Sequence, residues 1–127
     1  MKYLMKFNES IKQKDEDIKD ILLEIEDLDH MCVEYRFGDY NRITIDSYSN
    51  AYLFLWEDIK DCILRLIEYL GNSITSIDYE VIIYDSNKPF VRPEEFKLVN
   101  NYSKKFGEFE DHLEFSWIEI NFTYETS

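Results

Sequence analysis

The apolar residues of this sequence change period along the chain, and that change confines it to a mixed α and β fold. From Ser10 onward, Ile11, Ile18, Ile21, Leu22, Ile25 and Leu28 fall in one stripe at about 100° per residue. The stripe predicts an amphipathic helix with Ser10 as its N-cap and Asp29 near its end. Residues 31–37 and 42–48 alternate instead, Val33, Tyr35 and Phe37 sharing one face of the first segment and Ile43 and Ile45 carrying the second. The turn-forming Gly-Asp-Tyr-Asn between them makes the pair a β-hairpin.

The helical period then returns through Trp56, Ile59, Ile63, Leu66, Ile67 and Leu70. Its start lies between Ser49 and Trp56, and Gly71 supplies the stop. Ile77, Tyr79, Val81 and Ile83 alternate within residues 76–84 with Ile82 on the reverse, which suits an interior strand. Pro93 at a first helical position, Glu94 and Glu95 in a first turn, Lys104 and Lys105 in a last turn and Gly107 beyond predict a helix over residues 93–106. Residues 113–124 read as the longest strand, with Ile118, Ile120, Phe122 and Tyr124 opposing Trp117, Glu119, Asn121 and Thr123.

These segments give the order (β)αββαβ(α)β in one α+β domain, a two-layer sandwich over residues 1–127. The bracketed first strand is Tyr-Leu-Met-Lys-Phe at residues 3–7. If it forms, the leading part is βαββαβ, which is the split arrangement of ferredoxin-like folds, with a helix and a C-terminal strand added at the edge. Ile18, Ile21, Ile25, Trp56, Ile59, Ile63, Leu66, Val81, Ile83, Ile118 and Ile120 are expected to share one core.

Charge narrows the function. Fourteen Lys and Arg face 27 Asp and Glu, a net charge of −13, in a field that repels nucleic-acid phosphates and anionic membranes and favours a basic protein partner. The same charge keeps a protein soluble. The longest uncharged apolar run, Ala51 to Trp56, is far below the roughly 20 residues a membrane span requires. Cys32 and Cys62 have no CxxC spacing and are expected as free thiols in a reducing, cytoplasmic compartment.

No phosphate-cradling glycine motif and no HExxH is present, so the sequence predicts no nucleotide cofactor and no metal site. His30, Cys32, Cys62 and His112 lie on distant segments, and four of them would have to converge to hold zinc. Asp29–His30 and Asp111–His112 are neighbours in sequence, which does not turn their side chains towards each other, so no catalytic residue is assigned. With 27 acids some carboxylate pair is inevitable, and its existence carries no information about glycoside cleavage.

The pattern that stands out is a row of acids. Glu9, Glu16, Asp20, Glu24 and Asp27 gather opposite the apolar stripe of the first helix, repeating at about the 5.4 Å helical pitch. Such a row either docks onto a basic groove, as a phosphate backbone does, or is a solvated helix face. Glu108, Glu110, Asp111, Glu114, Glu119 and Glu125, in a C-terminal stretch without Lys or Arg, form a second acidic surface.

The first ten residues, Met-Lys-Tyr-Leu-Met-Lys-Phe-Asn-Glu-Ser, resemble the leader of internal head proteins of large tailed phages. That leader reads Met-Lys, four variable residues, Phe, one residue, then Glu, and it is matched by Met1, Lys2, Phe7 and Glu9. The resemblance implies prohead-protease cleavage between Glu9 and Ser10 and a virion-packaged or otherwise phage-encoded protein of the kind delivered into the host, where some such proteins inhibit host enzymes. Three functions are therefore expected: a non-catalytic acidic binding protein, as a phage inhibitor of a host defence or nucleic-acid enzyme; an immunity protein capping a basic nuclease toxin, which it resembles in size and acidity; or a small carboxylate-using enzyme.

Overall fold

The computed structural model describes residues 2–47, 53–84 and 92–123, with the first helix described as backbone alone up to residue 11. Ser49, Tyr124 and Glu125 lie outside the described residues, as do the side chains of Glu9 and Ile11. The elements run α1 (Lys2–Ile21), α2 (Leu23–Glu26), β1 (Met31–Arg36), β2 (Asn41–Ser47), β3 (Phe54–Leu55), α3 (Trp56–Leu70), β4 (Ile74–Ile83), β5 (Arg92–Leu98), α4 (Tyr102–Gly107) and β6 (Glu114–Phe122). All strands join one antiparallel sheet in the order β1-β2-β6-β4-β5, and the short β3 continues along the β2 side of β6. The helices pack on one face, so the chain is a two-layer α+β sandwich.

The centre of the sheet corrects the ferredoxin-like reading. Residues 3–7 lie inside α1, with Ser10 in its interior rather than at its cap. The strand that fills the middle slot is β6, paired with β2 on one side and β4 on the other, so the C-terminal strand is no added edge. Because both neighbours run against β6, they are parallel to each other, and α3 joins them as the helix of a split βαβ unit. With that slot taken, residues 3–7 have no sheet partner, and their short apolar run completes a helical turn instead.

A second correction concerns residues 93–98, expected in a helix and found in edge strand β5 (Arg92–Leu98). Without a partner there, β4 would leave a ladder of backbone N–H and C=O groups unpaired, and seven residue pairs satisfy it. Favourable end charges, each worth about 0.3–1 kcal/mol, do not compete with that ladder. Pro93 is tolerated because an edge strand can spare one N–H. The helix survives as α4, with Lys104 and Lys105 in its last turn as expected.

Elsewhere the periods hold. Met31–Arg36 and Asn41–Ser47 pair in one continuous register, and the Gly38 N–H donates to the buried Asn41 Oδ1 at 3.0 Å to close the turn. Gly71, at φ +51°, ends α3 in a conformation that costs a side chain strain. The start of α3 was illegible because no side chain caps it: the N–H groups of Trp56 and Glu57 donate to the carbonyls of Leu113 (2.9 Å) and Asp111 (3.0 Å).

Two irregularities re-aim the strands. Between Glu80 and Val81 the register against β6 slips, so that Phe115 and Ile118 both face the core although three residues apart. A second slip near Thr75 does the same for Ile74 and Ile77. Phe115 thereby joins Trp56, Tyr79, Phe106 and Phe109, whose ring centroids lie 4.9–5.9 Å apart in tilted and edge-on contacts. Of the expected core, all are buried except Ile21 and Ile83, which pack against its margin.

Ile63 is fully buried on α3 amid this core. Ile63→Ala is expected to cost about 2–5 kcal/mol, read as a lower urea midpoint with unchanged far-ultraviolet circular dichroism.

Candidate functional site

The expected acidic row is divided. Glu16 and Asp20 are exposed on α1, but the helix breaks at Leu22, whose φ of −93° and ψ of 1° separate α1 from α2. Beyond the break Glu24 turns beside α3, where the Cys62 thiol donates to its Oε2 at 3.6 Å, and Asp27 caps the end of α2. Glu9 lies on the α1 backbone. Glu16 and Asp20 therefore share α1, while Glu24 lies on α2 and Asp27 at its C-cap. Neighbouring Asp17 is structural, accepting from Tyr69 Oη at 2.8 Å and tying α1 to α3.

The sheet assembles a larger acidic surface that no linear pattern announces. Strand alternation turns Glu34, Asp46, Glu119, Asp78, Glu80 and Glu95 away from the helices, and the register lines them up across five strands. One row runs Cys32, Asp46, Trp117, Glu80, Glu95; the next runs Glu34, Thr44, Glu119, Asp78, Lys97. The third row, Arg36, Arg42, Asn121, Ser76, carries both arginines of the face. The face is thus acidic at one end and basic at the other, with six carboxylates against Arg36, Arg42 and Lys97.

Local contacts neutralise part of it. Arg42 Nε lies 2.6 Å from Glu119 Oε1, and the Asn121 amide donates to Ser76 Oγ (3.2 Å) and Asp78 Oδ2 (3.3 Å). Among the described residues no ion pair reaches Glu34, Asp46, Glu80 or Glu95. Asp46, Glu80, Trp117 and Glu119 line a broad concavity of about 450 Å³. Burial, then the charge of Glu34, push the Asp46 carboxyl above its ordinary value.

A second cavity of about 450 Å³ opens between β4–β5 and residues 105–114, floored by Tyr79, Phe96 and Phe109. Its rim groups are already engaged: Tyr84 donates to Glu114 at 2.9 Å, and His112 Nε2 lies 3.0 Å from Glu110. It offers apolar area without a convergent polar group. Among the described residues no three His, Cys, Asp or Glu gather as a metal site, and no described helix is long and apolar enough to cross a membrane.

Cys32 and Cys62 are both free. They could not pair, since Cys32 stands on the open face of the sheet and Cys62 on the core side of α3. Burial is the main force raising each thiol; Asp46, Glu34 and Glu26 add to it at Cys32, while at Cys62 Arg65 opposes it and Glu24 adds. A raised thiol holds less thiolate at any pH below its titration. A disulfide reagent at pH 8 is therefore expected to label both cysteines more slowly than free cysteine, with the difference abolished in guanidinium; equal native and unfolded rates would contradict it. Comparison with protein-family models, curated proteins and solved structures finds no match to this chain.

Proposed function

We propose that this chain is a non-catalytic acidic binding protein that docks a basic protein through the open face of its sheet. The observation that carries the reading is the carboxylate array around Trp117. Asp46 and Glu80 flank the indole on the neighbouring strands, and Glu34 and Glu95 extend the array towards the two sheet edges. An indole ringed by carboxylates suits an Arg or Lys side chain, which stacks on the ring while its charge is met from the sides. Glu16 and Asp20 on α1 add to the long-range field that steers such a partner without lying on the same face.

The basic partner is a protein whose own site is built for phosphates, which an acidic sheet face can imitate. A host defence or nucleic-acid enzyme is the partner if the chain is phage-encoded, as its leader-like first residues suggest. A nuclease toxin is the partner if it is an immunity protein. Both readings place the same chemistry on the same face, and both fit a cytoplasmic protein.

A second reading, a small carboxylate-using enzyme, draws on the raised Asp46 in the acid-lined concavity. It is less well supported, because that concavity is broad and open. Bond cleavage that Asp46→Asn abolishes while leaving binding intact would carry it instead.

An arginine-rich peptide serves as the probe. Trp117 reports on the open face, whereas the other Trp, Trp56, is fully buried across the sheet. Binding is expected to change Trp117 emission, to weaken as salt rises, and to fall at least several-fold in a Glu34→Gln, Glu80→Gln, Glu95→Gln variant. Binding that leaves emission unchanged but is lost in Glu16→Lys, Asp20→Lys, Asp27→Lys would move the interface to the helix row. No binding at low salt would overturn the proposal.

A further inference from the structure

Among the described residues the strand order ends at β1 on one side and β5 on the other, and these two edges are not alike. β5 carries the devices that keep an edge from pairing: Pro93, which lacks an N–H, and the charges of Glu94, Glu95 and Lys97 within seven residues. β1 has none of the backbone devices. Its six residues, Met-Cys-Val-Glu-Tyr-Arg, contain no Pro and pair with β2 in an unbroken register, so the outer side of β1 presents a regular ladder that no described strand pairs.

The surroundings of that edge are apolar. Val33, Tyr35 and Phe37 only partly enter the core, and the short α2, which contacts β1, opens with Leu23 at 51% exposed and is followed by Leu28 at 38% exposed. Lys19 Nζ of α1 lies over the rings of both Tyr35 and Phe37, 5.7 Å from each centroid. An unpaired ladder bordered by exposed leucines is an interface pattern rather than a solvated edge.

The charges on β1 select the occupant. Laid antiparallel against a second β1 with Tyr35 opposite Tyr35, the strand places Glu34 opposite Arg36 twice on the open face and Val33 opposite Phe37 twice on the core face. Shifting the register by two residues sets Glu34 against Glu34 or Arg36 against Arg36, which is unfavourable. A self-complementary strand of this kind fits an isologous two-fold contact.

We infer that this protein forms a symmetric homodimer through edge strand β1, with Glu34 of each copy paired to Arg36 of the other. Antiparallel partners directly opposite share a face, so both sets of helices lie on one side of the joined sheet and both carboxylate faces on the other. The pairing offers a basic partner two copies of the acidic surface in one plane. It does not depend on that surface binding anything.

Charge exchange tests the pairing. Sedimentation over a concentration series at physiological salt is expected to show the native chain passing from monomer to dimer. Glu34→Arg alone and Arg36→Glu alone, which set like charges opposite each other, are expected to shift that transition at least tenfold higher in concentration. The double exchange Glu34→Arg, Arg36→Glu restores opposite charges and is expected to restore the dimer. Both positions are exposed, and circular dichroism confirms that each variant is folded. A native chain that stays monomeric up to its solubility limit overturns the inference, as do folded single variants that dimerise like the native chain or a folded double exchange that does not recover. Failure of the arginine-rich peptide to bind leaves the dimer standing, and a monomeric chain that binds the peptide leaves the acidic face standing.

Discussion

The pairing of β6 with its neighbours is the constraint on which the rest of the structure depends. β2 and β4 are parallel and stand one strand apart, and the strand that fills the slot between them is the last in the described chain. Its alternate residues serve both layers: Phe115, Ile118, Ile120 and Phe122 close the core, while Trp117, Glu119 and Asn121 form the middle of the open face. The segment leading into it also finishes α3, whose first two N–H groups are met by Asp111 and Leu113. Helix, core and face are therefore completed together by contacts far apart in sequence. Loop-closure entropy makes such a topology slow to assemble.

The same strand explains how an acidic sheet face is tolerated. Carboxylates on adjacent strands lie within about 5 Å of one another in the hydrogen-bonding direction, a spacing at which like charges are costly unless water or a donor reaches them. Glu119 has Arg42 and Asp78 has the Asn121 amide, so the basic end of the face quiets the middle row. Asp46 has no such partner among the described residues, and its carboxyl is pushed up by burial. Unpaired charge held on a rigid sheet is energy that a cationic partner releases, which links the stability of this face to its proposed use.

The acidic row of the first helix spans two helices rather than one. Glu16, Asp20, Glu24 and Asp27 align at helical spacing only while the helix is continuous, and no Pro or Gly warns of the break at Leu22. At the break Leu22 and Ile25 are both fully buried, and Glu24 lies on the flank of that buried stripe that faces α3. Glu24 is thereby turned towards Cys62. The edge strand β5 was hidden for a related reason, since Glu94, Glu95, Lys104 and Lys105 satisfy the rules for helix ends and nothing local records the ladder that β4 leaves open.

The sequence by itself determined the elements whose apolar period is strong: the hairpin from Met31 to Ser47, the α3 face from Trp56 to Leu70, the strands around Val81 and Ile120, the class of fold and the excess of acid. Burial of one face per element dictates those periods, so they are written locally. Only the tertiary structure decided which strand lies in the middle, where α3 begins, and which acids become neighbours. Those outcomes rest on backbone hydrogen bonds, which every residue but proline can make, and on register, which two segments define jointly. Glu34, Asp46, Glu80 and Glu119 stand far apart in the chain, and the pairing of β1, β2, β4 and β6 alone makes them one surface.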